Sequence, residues 1–134
     1  MKENLSFTML PLLDKSICIY YIEFANKIKE LGISAEIYLF GSVSKGKYNS
    51  NSDIDFLILL DKPIDKSTKI DLWEVFDDAC LDNNLIDVDV KFYTKEKFFS
   101  TDNFFETSIQ KDLIPVKNIF GRCKYKYEKN NVWL

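Results

Sequence analysis

Tyr38-Leu39-Phe40-Gly41-Ser42-Val43-Ser44-Lys45-Gly46-Lys47-Tyr48-Asn49-Ser50-Asn51-Ser52-Asp53-Ile54-Asp55-Phe56-Leu57-Ile58-Leu59-Leu60 decides how the chain is read. Two apolar runs flank a polar hinge. The first stops at a Gly-Ser pair, and the second opens on carboxylates spaced i, i+2, the period that puts both on one face of a β-strand. Gly41 lets the backbone approach a ligand with no Cβ in the way. Ser42 offers a hydroxyl and a backbone N–H where a helix can begin, a place suited to the phosphate oxygens of a triphosphate. Asp53 and Asp55, projecting side by side, repel each other unless a cation lies between them. Mg²⁺ suits that position, because it prefers carboxylate oxygens, keeps several waters and shares its remaining places with nucleotide phosphates.

Calcium binding is the rival reading of the ladder Asn49-x-Asn51-x-Asp53-x-Asp55, and it fails on detail. An EF-hand loop starting at Asn49 needs glycine at its sixth position and glutamate at its twelfth, where this chain has Ile54 and Leu60. The other rival is a plain glycine turn between two strands, with solvated aspartates at a strand entry.

Working outward, residues 35–40 read as a first strand and residues 55–60 as a second, apolar on both faces as in a central strand. Upstream, Ile17, Tyr21, Phe24, Ile28 and Leu31 advance by four, three, four and three residues. That spacing predicts an amphipathic helix with Asp14 as N-cap and Gly32 as its stop. Residues 1–13 carry Leu5, Phe7, Met9, Leu10, Leu12 and Leu13 around Pro11 and read as a packed arm. Downstream, Ser67 or Thr68 is expected to cap a helix whose apolar stripe is Ile70, Trp73, Phe76 and Cys80, with Asn83-Asn84 ending it. Residues 85–93 alternate as a third strand: Ile86, Val88, Val90 and Phe92 on one face, Asp87, Asp89, Lys91 and Tyr93 on the other. Residues 95–100 and 103–111 look helical, and Ile114-Pro115-Val116 closes into a short strand. The tail from Arg122 to Lys129 alternates basic and aromatic residues and reads as a solvated edge.

The 134 residues suit one domain, 1–134, and 46% apolar with 15% aromatic content supplies a core. A net charge of −3 with a single arginine, Arg122, makes bulk nucleic acid a weak partner. Having no histidine, the chain has no imidazole triad, so acid–base work falls to carboxylates, lysine or tyrosine. Cys18, Cys80 and Cys123, odd in number and far apart, read as reduced thiols in a cytoplasmic protein. No stretch resembles a signal peptide or a membrane span.

Gly41-Ser42, ten residues, then Asp53-Ile54-Asp55 resembles the signature of the polymerase-β-like nucleotidyltransferase superfamily, in particular its small stand-alone "minimal" (MNT-type) members. Average residue usage gives such a pattern by accident in roughly one chain in a thousand of this length. Gly46 falls where the family often has glycine. The sequence departs from the commonest form at Ser44, where alanine is frequent, and at Lys45, where arginine is frequent.

The resemblance implies an α/β (α+β) fold, a small mixed sheet with flanking helices. It further implies a two-metal Mg²⁺ site in which Asp53 and Asp55 bridge the ions and a third carboxylate from the adjoining strand completes the set. Asp89 is the expected third ligand and Asp87 the alternative, because the link from Asp89 to the following helix fits the family better. Gly41 and Ser42 would hold the nucleotide, with Lys45 either on the triphosphate or an ordinary loop lysine, and Ser52 matching the family's Ser-Asp pair. The implied activity is transfer of AMP from ATP, or another nucleoside triphosphate, to a hydroxyl of a partner protein. The resemblance is to antitoxins that pair with a HEPN-type ribonuclease. A non-catalytic module that inhibits a partner by contact and a small-molecule (antibiotic) nucleotidyltransferase are the alternatives.

Overall fold

The computed structural model describes residues 9–41, 53–100 and 113–117. A long helix, α1 (Met9–Leu31), leads into β1 (Ala35–Phe40); then come β2 (Ile54–Leu60), α2 (Lys66–Asn83), β3 (Val88–Thr94), α3 (Lys95–Ser100) and a two-residue β4 (Ile114–Pro115). The four strands form one mixed sheet in the order β3-β2-β1-β4, in which β1 runs antiparallel to β2 and β4 while β2 and β3 are parallel. The α/β expectation holds, with the helices α1 and α2 contacting each other beside the sheet.

Alternation along the strands sends Ile37, Leu39, Ile54, Phe56, Ile58, Leu60 and Val90 toward α1 and α2, where they form the main core with Leu13, Ile17, Tyr20, Phe24, Leu72 and Phe76. Tyr20, Phe24, Phe56 and Phe76 stack around its centre with ring centroids 5.7 to 5.9 Å apart. The opposite face carries a smaller cluster of Phe40, Leu57, Leu59 and Phe98, so β2 is apolar on both faces, as its sequence implies. At one end of the sheet the Lys95 ammonium lies 2.8 Å from Asp61 and 3.7 Å from Glu36, tying the start of α3 to the edges of β1 and β2.

Local chemistry departs from the sequence reading at four points. Helix α1 begins five residues before Asp14, at Met9. Pro11 is no obstacle there, because the first turn of a helix has N–H groups without intrahelical partners. The N-cap of α2 is Asp65, whose carboxylate accepts from the Thr68 N–H at 2.8 Å, in place of Ser67 or Thr68. Its buried stripe is Leu72, Phe76 and Ala79, with Ile70 48% exposed, while Asn84 in the left-handed region (φ 55°) closes the helix as expected. Finally, Cys18 is disulfide-bonded and Cys80 is free, against the expectation of three thiols; separation in sequence says nothing about separation in space. The helix expected at 103–111 and the tail at 122–129 lie outside the described residues.

Candidate active site

The carboxylates meet on the face of the sheet opposite α1 and α2, near the beginning of two strands. Asp53 is exposed just before β2, Asp55 follows on the same face two residues on, and the parallel register sets Asp55 directly beside Asp89. Within β3, the alternation that sends Val88, Val90 and Phe92 to the core leaves Asp89, Lys91 and Tyr93 on the carboxylate face.

Gly41 stands at the end of β1, immediately after Phe40, which pairs with Asp55. Its φ of +74° is a conformation that suits glycine, and a Cβ at this position would run into the Asp55 carboxylate, with Cγ only 3.1 Å away. The glycine thus makes room for the aspartate, a closer role than the phosphate approach anticipated from sequence.

Burial first, and then the charges of Asp89 and Asp53, push the Asp55 carboxyl up to about 6, with Lys91 pulling the other way. The Lys91 ammonium is 3.6 Å from Asp89. Lys91 is the residue that sequence reading put on the right face without giving it a role; its signal was one cation among the polar positions of β3.

Asp87 faces different company. Its carbonyl accepts from the Ile54 N–H at 2.9 Å, and its carboxylate is approached by the Cys80 thiol at 3.8 Å, on the α2 side. Among the described residues, Gly41, Asp53, Asp55 and Asp89 therefore come together, and Asp87 is turned toward a helix. Ser42, Lys45 and Ser52 fall outside the described residues.

The donor set fits Mg²⁺ in kind: oxygen ligands only, three carboxylates on adjoining strands, and a crowded Asp55 whose like-charge repulsion a divalent ion would relieve. No three metal-ligating side chains are drawn into a closed cluster among the described residues. A separate cleft of about 420 Å³, lined by Tyr21, Phe24, Ile28, Ala35 and Pro115 among others, contains none of these carboxylates. No helix of the described residues is long and apolar enough to cross a membrane.

A family model for the nucleotidyltransferase domain matches residues 22–116, from the middle of α1 through β4. No curated protein matches the chain.

Proposed function

The chain belongs to the nucleotidyltransferase domain family, and from that premise we propose that it transfers AMP from ATP to a hydroxyl of a partner protein in a Mg²⁺-dependent reaction. The observation that carries this reading is the pairing of Asp55 with Asp89 across β2 and β3, with Asp53 on the same face and Gly41 alongside.

Asp53, Asp55 and Asp89 would hold the metal, which when bound neutralises the triphosphate and keeps attacking and leaving oxygens in line. Gly41 and Ser42 would meet the phosphates, Lys45 would add a point charge, and Ser52 would act in support of Asp53. As the acceptor oxygen bonds to the α-phosphorus, the bond to the bridging oxygen breaks and pyrophosphate leaves. Asp89 takes the acceptor's proton, the role that imidazole would fill in a chain with histidine.

A protein acceptor is favoured because Gly41-Ser42 and Asp53-Ile54-Asp55 resemble the signature of the family's small "minimal" members. The partner class is a HEPN-type ribonuclease, with this chain as its antitoxin. The cytoplasm is the compartment that supplies ATP. The disulfide at Cys18 is more common in oxidising settings, so this assignment rests on the substrate alone.

The test is co-expression with the partner, followed by ATP and Mg²⁺. Pyrophosphate release together with one added AMP in the partner's intact mass is the expected result. A stable complex with neither would favour a non-catalytic inhibitor, and turnover on an aminoglycoside alone would favour the small-molecule reading.

A further inference from the structure

Three of the four residues between α2 and β3, Leu85, Ile86 and Asp87, make an unusually complete set of polar contacts. Leu85 N–H donates to the Cys80 carbonyl at 3.1 Å, and the Cys80 thiol lies 3.5 Å from the Leu85 carbonyl. Ile86 N–H donates to Ser16 Oγ at 3.1 Å, and the Tyr20 hydroxyl donates to the Ile86 carbonyl at 2.6 Å. Asp87 O accepts from Ile54 N–H, the first rung of the ladder between β2 and β3.

Ser16 and Tyr20 lie four residues apart on one face of α1 and are fully buried. Among the described residues Ser16 is the buried polar one, and a buried polar group is kept where it has a partner. Together they engage both backbone groups of one residue, Ile86, which lies three positions ahead of Asp89. Burial, then the Cys80 thiol, drive the Tyr20 phenol far above its ordinary pKa, so it remains an O–H donor.

We infer that Ser16 and Tyr20 are positioning residues for the third carboxylate: by clamping Ile86 they set the register at which β3 enters the sheet, and so put Asp89 beside Asp55. A slip of one residue would turn Asp89 toward the core and Val90 toward the site, because side chains alternate with period two. The clamp reaches the site only through backbone, since neither side chain is on the carboxylate face. This inference rests on the reading of Asp89 as a metal ligand.

The experiment measures Mn²⁺ binding to the metal-free protein by electron paramagnetic resonance, without nucleotide. Four proteins are compared: the parent, Tyr20→Phe with Ser16→Ala, Asp89→Asn, and the triple variant. Tyr20→Phe alone is carried as well, because it removes a single oxygen and carries the test if the pair fails to fold. Losing the clamp is expected to weaken Mn²⁺ binding about tenfold, the low end of what removing an outer partner of a metal ligand costs. In the Asp89→Asn background the same substitutions should add nothing, which a general loss of stability would not reproduce. Hydrogen exchange at the Ile54 amide should quicken in parallel. A clamp variant that is folded and binds Mn²⁺ like the parent, while Asp89→Asn binds weakly, overturns the inference and leaves the site reading standing. A parent that binds no Mn²⁺, or an Asp89→Asn variant that binds as the parent does, overturns the site reading and the inference with it.

Discussion

Replacing Asp55 by asparagine should stabilise the metal-free protein at neutral pH and leave it almost unchanged near pH 4. In the folded chain this carboxyl sits at about 6, against 3.8 ordinarily, chiefly through burial and then through Asp89 and Asp53. Between those two values the folded state binds its proton more tightly than the unfolded state. Stability therefore falls as pH rises through that window and stays lower above it. The full shift would correspond to about 3 kcal/mol at roughly 1.4 kcal/mol per pH unit. Asp55 is only half-buried, so screening by water reduces the expected gain on substitution to about 1 to 1.5 kcal/mol. Urea denaturation of parent and Asp55→Asn in chelator, at pH 4 and pH 7.5, reads the difference directly. Added Mg²⁺ should then stabilise the parent and not the variant. A gap between the two proteins that is the same at both pH values would refute the electrostatic account of this site.

Four other substitutions probe separate parts of the molecule. Gly41→Ala should cost about 2 to 3 kcal/mol, combining the strain of a side chain in the left-handed region with a displaced Asp55 carboxylate, and should lower Mg²⁺-dependent pyrophosphate release by roughly a hundredfold; unchanged urea midpoint and rate would count against both. Asp89→Asn is expected to abolish that release while Asp87→Asn keeps it, and the reverse pattern would move the third ligand to Asp87. Phe76→Ala, which empties the space among Tyr20, Phe24 and Phe56, should lose about 3 to 5 kcal/mol in thermal or urea unfolding.

The strands were the most legible part of the chain because each is written twice, once as an apolar run and once as alternation. Residues 35–40 and the two-faced apolar run of β2 needed nothing further. Helix starts were harder to read, since Pro11 looks like a breaker until its place in the first turn is known, and Asp65 competes with Ser67 and Thr68 for the same capping role. The carboxylates divide along the same line. Asp53 and Asp55 follow from local spacing, whereas Asp87 and Asp89 share a parity that alternation alone leaves equivalent. What distinguishes them is pairing across the sheet, Asp89 beside Asp55 and Asp87 by way of its carbonyl to Ile54, which is a property of two segments far apart in sequence. Ser16 follows the charged pair Asp14-Lys15 and carried no signal of its own, and its partner at Ile86 is seventy residues away.

The parallel pairing of β2 with β3 also orders events during synthesis. Antiparallel β1 and β2 can close through the hinge that joins them, but two parallel neighbours need a crossover, and here α2 supplies it. A chain leaving the ribosome has made Gly41, Asp53 and Asp55 long before Asp89 has a strand to occupy. Until β3 arrives, one edge of β2 presents unpaired backbone beside Leu57 and Leu59, side chains that the finished protein buries, and such an edge invites association with other chains. Pairings between distant segments close later than local ones. The carboxylate set is thus completed at a late stage of folding, and a nascent chain released before Thr94 would carry Gly41, Asp53 and Asp55 without a finished strand to hold Asp89 beside them.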